Sequence, residues 1–309
     1  MSILLLTQPQ APALFAGSLR ELLPGVAVWE STHEAVPEAV EAILAWRLKP
    51  GTAARYPNLR LICATAAGVE KIIDDPGIGE GVAVMRTVDP LVNIGIAQYV
   101  LLMALRHARA LPLFEAQQKA RDWTRHRPPD PYSITAGVLG MGEAGRTVAS
   151  LLQAAGFAVT GWSRMPKEHP GVAMAFGAAG LSECVARAHI LVCTLPLTAQ
   201  TRHILNRRTL GMLPAGAYVI NVARGGHLVE ADLLHLLETG HLAGAALDVQ
   251  DVEPLPPDSP LWGHPRVTIT PHIAAQASTA TVALQFAENW VRLRAGQPLV
   301  NIVERARGY

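Results

Sequence analysis

The sequence predicts an α/β fold in which two parallel-sheet domains carry helices on their faces. Three observations lead there. Short apolar runs alternate with amphipathic helical stretches along most of the chain, and Pro-Gly steps at 24–25, 50–51 and 76–77 mark breaks between them. One strand–turn–helix–strand unit near the middle carries a glycine-rich turn, Gly140-Met141-Gly142-Glu143-Ala144-Gly145. At 309 residues, half of them hydrophobic, the chain exceeds one ordinary core, so two domains with sizeable cores are expected.

Apolar runs at 3–6, 26–29, 43–46, 59–64 and 82–85 read as the strands of a first unit, with a helix at 13–23 between the first two. This unit has no glycine-rich phosphate turn of its own. A long apolar helix is expected over 94–106, broken near Pro112 and extending towards Arg121. Pro128-Pro129-Asp130-Pro131 reads as a stiff connector. The alternation then resumes, with strands expected at 134–139, 157–162, 190–195, 217–222, 243–249 and 267–269. Between them, helices are expected after the glycine turn (Val148, Leu151, Leu152, Ala155) and at 205–212 and 230–238. A closing helix over 279–294 has Val282, Leu284, Phe286 and Trp290 as its apolar positions and is expected to run back to the first unit. The central fold should be complete near residue 275. The division expected is therefore 98–278, inserted within a smaller domain made of 1–97 and 279–309.

The turn has the context that its chemistry needs. Gly140 allows the tight bend, Gly142 lets a pyrophosphate approach the backbone, and Gly145 lets the helix lie close to the strand. The helix N-terminus offers free N–H groups and partial positive charge to the phosphates. Residues 98–278 are thus expected to form a Rossmann dinucleotide-binding domain, and the smaller one a flavodoxin-like α/β substrate domain. The second strand ends in Trp162-Ser163-Arg164, with Lys167 beyond. An NAD site wants Asp or Glu here for the ribose 2′-hydroxyl. A hydroxyl and cations instead suit a 2′-phosphate, which a carboxylate would repel. NADP(H) is expected in preference to NAD(H). Glu143, beside the turn, is expected to face solvent.

Three polar residues follow apolar runs in the second half: Arg224 after 219–223, Glu253 after 246–249, and His272 after 267–271. In an open parallel sheet, residues just past the carboxyl ends of strands face the ligand crevice. A guanidinium there can hold a carboxylate and polarise a carbonyl. Histidine is a natural proton donor near neutral pH, and a neighbouring carboxylate favours its charged form. Together they form a working set for reducing a 2-keto acid, although Glu253 could also be no more than a turn residue before Pro254. Of the eleven histidines, His107, His126, His203 and His235 need no function, and His227 and His264, near strand ends, read as non-catalytic.

Asn221-Val222-Ala223-Arg224-Gly225-Gly226, Leu247-Asp248-Val249 with Glu253-Pro254, and Thr270-Pro271-His272-Ile273-Ala274 resemble, in order and spacing, the signature blocks of the D-isomer-specific 2-hydroxyacid dehydrogenases. Within that family, Trp162-Ser163-Arg164, the 253–262 and 264–272 stretches and the terminal 305–309 block resemble the A-type bacterial glyoxylate/hydroxypyruvate reductases. The likeness is thinner before residue 60. It implies NADPH-dependent reduction of small 2-keto acids, glyoxylate to glycolate and hydroxypyruvate to glycerate. It also implies roles. Arg224 would bind the substrate carboxylate and carbonyl oxygen, His272 would be the acid/base, and Glu253 would pair with it. Asp248 would hold the nicotinamide carboxamide, or else cap its strand end. Leu195, Pro196 and Ala223 would join the glycine turn on the cofactor side. Ala67, Gly68 and Val69 would receive the substrate carboxylate on backbone N–H groups. Trp46, with Arg47, would line the substrate pocket, unless Trp46 is core. Ala144 departs from the larger aliphatic usual in the family, and 89–93 departs from its usual hinge approach. The two domains should close on the ligands.

Composition narrows the partners. A net charge of +1 points to no nucleic-acid surface. Cys63, Cys184 and Cys193 lie in apolar stretches without metal-ligand spacing and read as reduced core residues. No metal site is expected. The N-terminal run is too short and lacks the basic flank of a signal peptide, and no run approaches membrane-spanning length. A cytoplasmic protein without membrane partners, and a homodimer through the dinucleotide domain, are expected. The competing readings are an NAD-dependent D-lactate or phosphoglycerate-type dehydrogenase, against which Ser163-Arg164 and the short C-terminus speak, and a non-enzymatic dinucleotide-sensing scaffold. Disordered recruitment tails would favour the scaffold, and none is evident.

Overall fold

The computed structural model describes residues 2–127 and 129–305. Pro128 of the expected connector and residues 306–309 of the terminal block lie outside the described residues. The chain divides into two compact units, Met1–Leu91 with Gln276–Tyr309, and Val92–Ala275. The boundaries expected at 97/98 and 278/279 thus fall at 91/92 and 275/276. The first crossing lies inside a helix that starts earlier than its apolar pattern suggests, and the second just before Ser278 caps the closing helix.

In the first unit, β1 (Ser2–Leu6), β2 (Ala27–Trp29), β3 (Val40–Ala45), β4 (Leu61–Ala64) and β5 (Ala83–Met85) form a parallel sheet in the order β2-β1-β3-β4-β5. That is the flavodoxin-like order. Nearly all of β1, β3 and β4 is buried, which is why they read as continuous apolar runs and not as alternations. Helix α1 (Ala13–Leu22) turns Phe15, Ala16 and Leu19 inwards, and α2 (Glu70–Ile73) is a single turn after the 65–69 loop. Two loops are tied together by Asp75, whose carboxylate accepts from the N–H groups of Gly51 (2.6 Å), Ala53 (2.8 Å) and Gly77 (2.9 Å). Burial pushes its carboxyl up, but these donors outweigh it and hold the group below its ordinary value.

Helix α3 (Pro90–Ala108), which contains the crossing, starts four residues before the expected position, because proline is well accommodated in the first turn of a helix. At 19 residues and a mean hydropathy of 1.3, α3 has the length and composition of a membrane-crossing helix, but it buries Ala97, Tyr99, Val100, Met103 and Ala104 in the core of the larger unit. Helix α4 (Leu111–Ala120) follows the break. The sheet comprises β6 (Thr135–Leu139), β7 (Ala158–Ser163), β8 (Ala173–Phe176), β9 (Ile190–Cys193), β10 (Ala217–Asn221), β11 (Leu242–Leu247) and β12 (Val267–Ile269). All pairs are parallel, in the order β12-β11-β10-β9-β6-β7-β8. Helices α5 (Glu143–Ala154), α6 (Gly177–Ala186), α7 (Arg207–Gly211) and α8 (Glu230–Glu238) connect them. Neither β8 nor α6 is legible in the hydrophobic pattern. As an edge strand, β8 has no fully buried residue to mark it.

Helix α9 (Thr279–Arg294) opens on Ser278, whose hydroxyl accepts from the Thr281 N–H (3.0 Å). Its Val282, Ala283, Phe286, Ala287 and Trp290 share one core with Phe15 and Leu19 of α1. Leu284, expected on that face, is 56% exposed. Two residues advance a helix by about 200°, so a neighbour of Val282 at that spacing points away.

Candidate active site

In the larger sheet β6 and β9 are neighbours, with β7 and β8 leading one way and β10 to β12 the other. The carboxyl ends of β6 and β9 therefore form the topological switch point, where α/β sheets bind ligands. The glycine turn follows β6. Gly140 has φ +101°, and a Cβ there would press on the Thr194 carbonyl at 3.0 Å. A Cβ on Gly145 would overlap the Gly140 carbonyl oxygen, so helix and turn can approach this closely only without one. At Gly142 the space is open, with no atom within 4 Å of a Cβ. A pyrophosphate can reach the backbone at that point, so the residues present fit a dinucleotide. Thr194 ties the end of β9 to the turn by donating its hydroxyl to the Gly140 carbonyl (2.8 Å), with the Leu139 carbonyl 3.1 Å away. Met141 is buried, Ala144 half-buried, and Glu143 exposed as expected. Beyond Thr194, Leu195 is buried and Pro196 exposed.

At the end of β7, Trp162 is buried and donates its indole N–H to the Gly177 carbonyl (2.8 Å). The hydroxyl of Ser163 donates to the Met165 carbonyl (2.6 Å), so it is engaged within its own turn. Arg164 is exposed and donates to the Gln200 side chain (2.9 Å). Lys167 reaches back to the Met141 carbonyl (3.1 Å), which sets an ammonium group beside the glycine turn. The contact between Arg164 and Gln200, 36 residues apart, is not visible in sequence.

Arg224, Glu253 and His272 follow three neighbouring strands, β10, β11 and β12. His272 Nδ1 lies 3.1 Å from both carboxylate oxygens of Glu253, and the two side chains are only about one-fifth exposed (22% and 21%). The Gln250 N–H also donates to this carboxylate (3.3 Å) and helps to fix it. The structure therefore brings together the pair that the sequence singles out. His272 has φ +56°, an unusual conformation for a non-glycine residue. Asp248 holds it there. Its backbone carbonyl accepts from the His272 N–H (2.8 Å), and its buried carboxylate accepts from the N–H groups of Ile273 and Ala274 (both 2.9 Å) and the Thr270 hydroxyl (2.6 Å). These contacts make Asp248 a cap on the 270–274 turn.

Sequence reasoning missed the support behind this turn. Tyr99 of α3 lies 2.7 Å from the Thr270 hydroxyl oxygen. Because Thr270 gives its one proton to Asp248, Tyr99 must donate. Burial pushes the Tyr99 phenol up to about 12, so it keeps that proton at neutral pH. Arg224 is half-buried, with Nη1 donating to the Ala223 carbonyl (2.6 Å). Gly225 lies flat against the next segment, where a Cβ would overlap the Gln250 carbonyl carbon.

In the smaller unit, Trp46 follows β3 and is half-buried, with the Lys71 ammonium 5.5 Å from its ring centre; Arg47 is exposed. The 66–69 loop is fixed from below, since the Thr87 N–H donates to Ala66 (3.1 Å) and its hydroxyl to Ala64 (2.8 Å). Ala67 is exposed, Gly68 half-buried, and the Val69 side chain sits in the core. The three cysteines are buried and unpaired, and no metal-binding group of His, Cys, Asp and Glu occurs among the described residues.

Comparison with known proteins accords with this geometry. Residues 101–274 match the model of the D-isomer specific 2-hydroxyacid dehydrogenase NAD-binding domain. A glyoxylate/hydroxypyruvate reductase A of Serratia proteamaculans is 40% identical over 274 residues, covering 86% of this chain and 87% of that one. A D-isomer specific 2-hydroxyacid dehydrogenase from Xanthobacter autotrophicus, solved with NADPH and MES, is 39% identical, with a TM-score of 0.91 over 100% of this chain and 99% of that one. An NADPH-dependent glyoxylate/hydroxypyruvate reductase from Sinorhizobium meliloti, solved with NADP and sulfate, is 32% identical, with a TM-score of 0.91 over the full length of both chains. With a dinucleotide turn at the switch point, an arginine and a Glu–His pair on the next strand ends, and relatives of this likeness along nearly the whole chain, the protein belongs to the D-isomer specific 2-hydroxyacid dehydrogenase family.

Proposed function

We propose that the protein reduces small 2-keto acids with NADPH, taking glyoxylate to glycolate and hydroxypyruvate to glycerate. The observation that carries this reading is the Glu253–His272 pair, one strand away from Arg224 in the same sheet. The cofactor supplies the hydride for the carbonyl carbon when bound. Arg224 holds the substrate carboxylate and draws charge from the carbonyl oxygen. His272, oriented through Nδ1 by Glu253, gives that oxygen the proton carried on Nε2. Asp248 positions the His272 turn. The names of the relatives and the NADPH and NADP in the two solved structures support both substrate class and cofactor.

For the cofactor, Gly140 to Gly145 cradle the pyrophosphate, with Leu195, Pro196 and Ala223 on the same side. Arg164 and Lys167, with Ser163 and Trp162 at the strand end, take the 2′-phosphate where no carboxylate stands. Ala67, Gly68, Val69 and Trp46 are the substrate contacts proposed in the smaller unit. The active species is proposed to be a cytoplasmic homodimer without nucleic-acid or membrane partners. A second copy would cover the exposed Leu102 and Leu105 of α3 and Leu111 and Leu113 of α4. The test is a kcat/KM panel of glyoxylate, hydroxypyruvate, pyruvate and a bulky 2-keto acid, each with NADPH and NADH. The two small hydroxyacid precursors with NADPH should lead; no turnover of either would refute the reading.

A further inference from the structure

His227 reads as non-catalytic in the sequence, yet it is fully buried, and its ring joins two segments of the site. Nδ1 lies 3.0 Å from the Arg224 carbonyl oxygen and Nε2 lies 3.3 Å from the Pro196 carbonyl oxygen. A carbonyl only accepts and a neutral imidazole carries one N–H, so the ring can donate to one of the two; the shorter contact assigns the proton to Nδ1 and leaves the Pro196 contact one of packing. The same Arg224 carbonyl also receives the side-chain N–H of Asn221 (2.9 Å) and the backbone N–H of His227 (3.3 Å). Asn221, itself fully buried, accepts from the Ala223 N–H (3.1 Å) through its other side-chain atom. Gly225 presses the following turn against the Gln250 backbone. The arginine that carries the proposed chemistry thus has its main chain pinned from three directions, and His227 alone among these residues also reaches the segment after β9.

We propose that His227 is a positioning residue for Arg224, fixing through Nδ1 the main chain from which the guanidinium meets the substrate carboxylate. The proposal rests on the role given to Arg224 above. It explains why a polar ring occupies a fully buried place that an apolar side chain could fill. Loss of the ring leaves the Arg224 carbonyl with two other donors, so the fold should survive while the guanidinium loses its register.

The two ring nitrogens can be separated by substitution, because an asparagine amide nitrogen falls near Nδ1 and a glutamine amide nitrogen near Nε2. Purified full-length wild type, His227→Ala, His227→Asn and His227→Gln would be compared in glyoxylate reduction with NADPH. Affinity for oxalate, a non-reacting dicarboxylate, would be measured calorimetrically at saturating NADPH, and thermal unfolding alongside. His227→Ala should lower kcat/KM for glyoxylate by about 10- to 100-fold, the scale of a misplaced positioning contact. It should weaken oxalate in step and leave the KM for NADPH nearly unchanged. His227→Asn should recover most of the loss and His227→Gln should not. If all variants melt earlier but keep wild-type oxalate affinity and kcat/KM, the ring is structural only and the proposal falls. Equal recovery by glutamine also overturns it, and this comparison stands even if the alanine variant fails to fold. A wild type that does not reduce glyoxylate overturns the functional reading and this proposal together, whereas an active wild type with unaffected variants overturns this one alone.

Discussion

Glutamine at position 253 is the sharpest probe of the proton-donating pair. The side chain keeps its length and an acceptor oxygen but loses its charge. His272 Nδ1 now faces two carboxylate oxygens at 3.1 Å, with both side chains about four-fifths buried. A hydrogen bond to an ionised partner contributes about 1.5–3 kcal/mol and a neutral one about 0.5–1.5 kcal/mol, so the exchange should cost about 1–1.5 kcal/mol. That corresponds to roughly a tenfold fall in kcat/KM for glyoxylate. Alanine removes the whole interaction and should cost about 1.5–3 kcal/mol, on the order of 10- to 100-fold. The assay is initial-rate loss of reduced-nicotinamide absorbance, with thermal melts to confirm folding. The KM for NADPH should stay within a factor of two or so, because the pair follows β11 and β12 while the glycine turn follows β6. A Glu253→Gln enzyme as fast as wild type, or one slower than Glu253→Ala, would refute the argument that the carboxylate orients the imidazole.

Other expectations follow from single residues. Arg164→Asp replaces a cation at the end of β7 by the group that an NAD site uses, and should shift the NADPH/NADH ratio of kcat/KM towards NADH by on the order of 100-fold; an unchanged ratio removes Arg164 from cofactor choice. Asp75→Asn should destabilise the protein by about 2 kcal/mol near pH 7, read by denaturant unfolding, because charged acceptance from three backbone N–H groups is weakened. The folded carboxyl sits below its ordinary value, so this stability is present above the unfolded value near 4 and is lost as the pH falls through the folded value. The gap between variant and wild type should therefore close in acid, and a constant gap would contradict the assignment. Burial pushes the Cys63 and Cys193 thiols up to about 12 and raises Cys184. At pH 8 only about one part in 10⁴ of Cys63 and Cys193 would be thiolate, so a disulfide exchange reagent should label none of the three quickly until denaturant is added.

What the sequence makes legible is chemistry carried at local spacing. The Gly140–Gly145 turn can be read because the roles of its glycines lie within six residues and between recognisable strands. Arg224, Glu253 and His272 stand just past apolar runs, where an open parallel sheet puts its ligand groups. What stays hidden depends on partners distant along the chain. Asp248 spans 22 residues to Thr270, and Tyr99 reaches the same hydroxyl across 171. His227 looks idle until Pro196, 31 residues back, is placed beside its ring. Periodicity fails in its own ways. The edge strand β8 has little burial to reveal it, Leu284 is apolar yet points outwards, and α3 begins at a proline instead of at the first strongly apolar position.

The account turns on His272 as the proton donor. Steady-state reduction of glyoxylate by His272→Ala, with NADPH binding measured separately, tests it most directly. Turnover should fall by about 10²- to 10⁴-fold, the usual contribution of a general acid, while NADPH affinity is retained. A folded variant that binds NADPH and keeps more than about a tenth of wild-type turnover would contradict it.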